Sequence, residues 1–99
     1  MDNIEDKSTK QDAVFNKLKL MVTEIIGEDV ARLIDITENS KFVSDLGMDS
    51  IVMVSFAEKV NKVYGEEVDL MTWISKKNVR QLLKLSMGDL AEFIAGSID

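Results

Sequence analysis

A chain of 99 residues makes one domain, and one so short buries only about 60 to 70% of the surface its unfolded form exposes, so modest stability is expected. With no cysteine and no histidine, disulfides, thiolate or imidazole zinc sites and every catalytic dyad built on imidazole are excluded. A net charge of -6 and a pI near 4.6 oppose binding to nucleic-acid phosphates, and no apolar run approaches the ~18 residues of a membrane span.

The segment "MDNIEDKSTKQD" contains acidic residues and no signal-like apolar stretch, from which a cytoplasmic address is expected. Residues 1–8 are polar and lack periodicity, and are expected to form a flexible tail ahead of a single domain over 9–99. A first helix is predicted from Thr9, where "TKQD" matches a capping box. Val14, Leu18, Met21 and Ile25, joined by Phe15 and Val22, form its apolar stripe, and Gly27 is its expected stop.

From Glu28 to Asp49 sustained periodicity is lost, and the composition is that of a long connection. Its apolar residues, among them Ile36, Phe42 and Leu46, predict a loop pinned to the core, with a helical turn near Val30 to Ile34. A second long helix is predicted from Asp49 or Ser50 to Tyr64, ended by Gly65. Its expected buried rows are Val54, Ala57, Val60, Tyr64 and Met53, Phe56, Val60, Val63. Short helices are predicted over Leu70–Ile74, capped by Asp69, and from "NVRQ" at Asn78 to Leu85. A last helix follows the capping box "SMGD", Ser86 to Asp89, with Leu90, Phe93 and Ile94 on one face. The fold class is all-α, a small four-helix bundle with a long loop between its first two long helices and a short, extended third-helix region.

Ser50 opens the second long helix in "DLGMDSIVMVSFAEKV". A hydroxyl there lies beside unsatisfied backbone N–H groups and the positive end of the helix dipole, where a phosphate ester is favoured by roughly 0.3 to 1 kcal/mol at an exposed site. An isolated Asp-Ser pair reads first as a helix cap. Ser50 has no imidazole to activate it, and the residue three positions on is Met53 rather than a lysine base. A calcium loop begun at Asp45 would need a glutamate where Phe56 stands. Asp49 is the natural N-cap, and Gly47 permits the turn that leads from a buried Leu46 out to the surface.

The stretch Ile36–Val60 resembles the acyl carrier protein family, whose hallmark is a long loop closing in Leu-Gly-x-Asp-Ser-hydrophobic before the second helix; Phe42 to Gly47 supply the Phe-x-x-Asp-Leu-Gly lead-in. The resemblance implies that a separate phosphopantetheinyl transferase, using magnesium, esterifies Ser50 with 4'-phosphopantetheine from coenzyme A. The arm would carry acyl groups as thioesters. The same resemblance gives Asp49 a part in metal-assisted transfer as well as the cap, with Leu46 and Gly47 shaping the loop. No metal is expected to reside in the protein. Acyltransferase, ketosynthase or other synthase enzymes are the implied partners, met transiently by a monomer; no nucleic acid and no membrane are expected.

Two departures from the family pattern point to a discrete or excised carrier of a polyketide or related pathway. Residues 51–64 hold Glu58, Lys59 and Lys62, with Val52, Ser55 and Asn61 where fatty acid carriers are often acidic. Met48, Ile51, Val52 and Met53 are expected to surround Ser50 with apolar surface that, with Ser55, meets partners. The segment before "SMGD" is also longer than in compact relatives, and carries Trp73 and Lys76, Lys77, Arg80 and Lys84 with no acidic residue from Leu70 to Gly88. Either Trp73 fills core space and the lysines form a solvated face, or the segment is a docking element and Trp73 borders an acyl channel. Alternatives to the acyl carrier are a peptidyl carrier and an unmodified helical interaction module. No enzyme activity is expected, because so small a helical domain offers little room for a pocket.

Overall fold

Gly27, with φ 95°, breaks an otherwise continuous N-terminal helical stretch into α1 (Asp2–Ile26) and the six-residue α2 (Glu28–Leu33). The computed structural model describes the backbone of residues 2–98 and the side chains of residues 9–65 and 67–98. After a loop come α3 (Ser50–Tyr64), a 3-10 turn (Gly65–Glu67), α4 (Leu70–Ser75), α5 (Val79–Lys84) and α6 (Met87–Ser97). Among the described residues there is no strand, only an isolated bridge between Lys41 and Ser86. The all-α expectation stands, and the third-helix region resolves into α4 and α5. No described helix is long and apolar enough to cross a membrane.

The expected start at Thr9 is corrected. The helix begins at Asp2, so the backbone is already helical before Thr9. Inside a helix the amides are already paired to the preceding turn, so the Thr9–Asp12 pattern has no orphan amide to cap. Met1 lies outside the described residues.

The three longer helices meet around one core. Val14, Leu18, Met21 and Val22 of α1 pack with Phe56, Ala57 and Val60 of α3 and Leu90, Ala91 and Ile94 of α6, and α1 lies chiefly against α6. The buried residues of α3 are Met53, Phe56, Ala57 and Val60, spaced three, one and three apart, which is a single stripe of one helix face. Val54 and Val63, expected in buried rows, are exposed, and Tyr64 is half-buried. The apolar content of α3 is wider than the face its neighbours cover.

The loop is pinned as its apolar residues require. Ile36, Phe42, Leu46 and Met48 are buried, and the Phe42 ring stands 5.5 Å from that of Phe56. Backbone bonds tie it to the start of α6: Phe42 N–H donates to Leu85 O at 3.1 Å, Met87 N–H to Ser40 O at 2.9 Å and Gly88 N–H to Glu38 O at 2.8 Å. Buried Ser40 accepts from Thr37 N–H at 2.9 Å, so its hydroxyl is not stranded in the core. The short helices begin on the caps read from sequence. Asp69 accepts from Thr72 N–H at 3.3 Å, and capping boxes close at Asn78/Gln81 and Ser86/Asp89.

Candidate functional site

The chain reaches Ser50 through a turn that alternates buried and exposed positions. Leu46 and Met48 point into the core, while Gly47, Asp49 and Ser50 are exposed. Gly47 N–H donates to Val43 O at 3.2 Å and Met48 N–H returns to Phe42 O at 2.9 Å, closing the loop on itself. Gly47 has φ 66°, and a Cβ there would meet nothing within 4 Å. The requirement for glycine is therefore the left-handed backbone alone, which side-chain-bearing residues adopt at a cost.

Asp49 is the N-cap of α3, its Oδ1 accepting from Val52 N–H at 2.9 Å. Ser50 is the first residue of the helix and exposed, so its Oγ stands at the positive helix end, reachable from solvent. The cap does not depend on that hydroxyl, because Asp49 already serves an orphan amide of the first turn. This arrangement suits a phosphate ester: backbone N–H groups and the dipole favour the anion, and an outside catalyst has access.

Beside Ser50 opens a groove of about 310 Å3, lined almost wholly by apolar side chains. Met48 and Met53 lie against it from the core side, Val54 from α3, Met71 from α4, and Val79 and Leu83 from α5. Met48, expected to offer partner surface, is only 1% exposed and Met53 is also buried, so neither supplies an outward face; the loop carries Met48 inward between its two exposed neighbours. Ile51 is 76% exposed, Val52 is half-buried against the core and Ser55 is exposed. The contributions of Met71, Val79 and Leu83 were missed in the sequence. Their signal is present as apolar residues in two short capped helices too small to bury them.

Trp73 lies away from this groove. Its ring stacks on Phe93 with centroids 4.3 Å apart and planes at 8°, and Lys77 Nζ sits 4.1 Å over the tryptophan. Of the two expectations for Trp73, the geometry favours the packing role: it joins α4 to α6 and does not border the space beside Ser50.

Comparison with known proteins agrees with this geometry. A family model described as "Phosphopantetheine attachment site" matches residues 16–86, which take in α3 and the loop before it. An acyl carrier protein of Thermotoga maritima is 30% identical over 59 residues, covering 60% of this chain and 69% of that relative. No solved structure matched.

Proposed function

The chain belongs to the acyl carrier protein family, whose members are carriers rather than enzymes and bear covalent 4'-phosphopantetheine, and on that premise we propose that Ser50 is the residue that receives the group. The observation that carries this reading is the exposed Ser50 hydroxyl at the first position of α3, with Asp49 Oδ1 already committed to Val52 N–H. The residues present fit the arm. A phosphodiester on Ser50 Oγ would sit at the positive end of a 15-residue helix, and the adjoining groove offers apolar cover to whatever the arm carries.

When bound, the arm supplies a terminal thiol that carries acyl groups as thioesters. The chain's own contribution is positional. Buried Leu46 and Met48 fix the loop, Gly47 takes the left-handed turn, and Asp49 holds the first turn of α3, so that Ser50 is presented outward at a defined place. Asp49 has a second role in this reading, helping the transferase hold its metal. Transport then works through effective concentration: a tethered acyl group meets each enzyme as a near-intramolecular partner, and small interfaces permit fast release.

The pathway is a polyketide or related secondary-metabolite route, with acyltransferase and ketosynthase enzymes as partners. Support comes from the surface around Ser50. The first turn of α3 has no acidic residue, and beside the capping carboxylate of Asp49 the exposed side chains at its mouth include the apolar Ile51 and Val54.

Intact-protein mass after incubation with a phosphopantetheinyl transferase, magnesium and coenzyme A tests the site. The expected result is the gain of one arm, absent in Ser50→Ala while its helical circular dichroism stays near that of the parent. A Ser50→Ala protein that still loads, or a parent that does not load beside a control carrier that does, overturns the assignment. Turnover of the loaded protein by a polyketide ketosynthase against a fatty-acid one tests the pathway, and preference for the latter would reject it.

A further inference from the structure

We propose that the exposed face of α5 is a docking strip for arm-using enzymes whose entrance is apolar and rimmed with carboxylates, an inference that rests on Ser50 being the attachment site. α5 is a six-residue helix with no buried residue. Val79 is 70% exposed and Leu83 47% exposed, one turn apart, and both line the groove that opens at Ser50. An enzyme reaching the arm approaches the mouth of that groove, and this apolar row forms part of its rim. Arg80 and Lys84 follow Val79 and Leu83 by one position each and are likewise exposed, so a cationic row runs beside the apolar one. Lys76, at the C-cap of α4, adds a third exposed cation at the turn into α5.

The charge of this strip is opposite to that of the molecule. The chain carries 18 acidic residues against 12 basic ones, yet none of the acidic residues falls between Leu70 and Gly88. Among the described residues, the ion pairs within 4.0 Å join Arg32 to Glu28 and Lys59 to Glu24, and neither involves α5. Of the nearby carboxylates, Asp49, Asp69 and Asp89 accept backbone bonds from Val52, Thr72 and Ser86, and Glu92, which lines a surface depression together with Lys84, makes no ion pair with that lysine within 4.0 Å. Lys77 is turned instead over the Trp73 ring. A basic partner thus finds no acid in the first turn of α3, whereas an acidic one finds Arg80 and Lys84 with no ion-pair partner among the described residues beside apolar cover. Complementary charge steers encounter and fixes register, while a strip this small keeps release fast.

The test is amide chemical-shift mapping of the full chain titrated with poly-L-glutamate at low ionic strength, with poly-L-glutamine as the uncharged control. Shift changes concentrated at residues 76–84 and the groove rim, weakening as salt is added and abolished in Arg80→Glu/Lys84→Glu, are expected. Arg80→Gln/Lys84→Gln, which removes the charges without reversing them, gives the same loss if the reversed variant fails to fold. Absent changes, or changes spread equally over Lys17, Lys19, Lys59 and Lys62, overturn the proposal. Transferase loading of the parent chain is followed separately by mass. Failure to load rejects the Ser50 reading whatever poly-L-glutamate does, and loading without a response on α5 rejects the docking strip alone.

Discussion

Gly88 and Glu38 meet backbone to backbone: the Gly88 amide donates to the Glu38 carbonyl at 2.8 Å, and a Cβ on Gly88 would stand 3.0 Å from that same oxygen. The start of α6 and the loop that leads to Ser50 therefore share a contact that depends on a missing side chain. The same helix offers an internal comparison, because a Cβ on Gly96 would meet nothing within 4 Å.

Gly88→Val is expected to lower stability by about 1 to 3 kcal/mol, the range for forcing extra carbon into a filled space. Gly96→Ala is expected to raise it by less than about 1 kcal/mol, through helix propensity alone. Thermal unfolding followed by circular dichroism measures both. A Gly88→Val protein as stable as the parent would mean that the loop yields at Glu38 without penalty.

Asp49→Ala removes the acceptor for Val52 N–H and is expected to cost about 0.5 to 2 kcal/mol, the usual loss for a helix cap. Asp49→Asn keeps a capping oxygen and loses the charge, so it should recover most of that stability. If the carboxylate also serves the transferase, the asparagine variant is stable yet loads slowly. Equal loading rates for the parent and Asp49→Asn would leave the cap as the residue's single role.

Ile51→Glu is expected to leave stability within about 0.5 kcal/mol of the parent, as surface changes do, while slowing turnover of the loaded protein by partner enzymes. Met48→Ala should cost about 2 to 5 kcal/mol, the range for a buried side chain cut back to its Cβ. Val52→Glu falls between them, because Val52 is half-buried against the core and must lose stability together with turnover. Urea unfolding beside an enzyme assay separates the three. A large stability loss in Ile51→Glu would show that Ile51 has packing partners.

Tyr64 is the one tyrosine in the chain, and partial burial raises its phenol above the ordinary value of 10.0 by desolvating the charged form. The unfolded chain, with the lower value, loses its proton first. The contribution to stability is complete below the ordinary value and is lost as pH rises through the folded one. Phenolate absorbance of native and urea-unfolded protein should give a higher midpoint for the native form, and coincident midpoints would contradict the burial.

Much of the site was legible because it is local. Asp49, Ser50 and Val52 lie within one helical turn, and the cap between them follows from residue type and spacing alone. Gly47 was readable for a similar reason, since a left-handed turn is a property of one residue's backbone. The caps at Asp69, Asn78 and Ser86 were found in the same way. Thr9 shows the limit of such reading: its cap pattern is as good as that at Ser86, but the helix had already begun at Asp2, and a helix with paired amides does not use an internal cap.

Which apolar residues are inside was decided by packing. Met48 and Ile51 are both large and apolar and flank the same Asp-Ser pair, yet one is 1% exposed and the other 76% exposed; the loop turn aims the first at the core, and the second faces away from it. Val54, Met71, Val79 and Leu83 come from three helices and form a groove only when those helices assemble. The sequence by itself determined the caps of the later helices, the start of α3 at Ser50 and the family pattern, because each rests on contacts within a few residues. Tertiary structure alone decided the groove, the isolation of Trp73 from it and the unpartnered face of α5, because burial depends on which faces of separate helices meet.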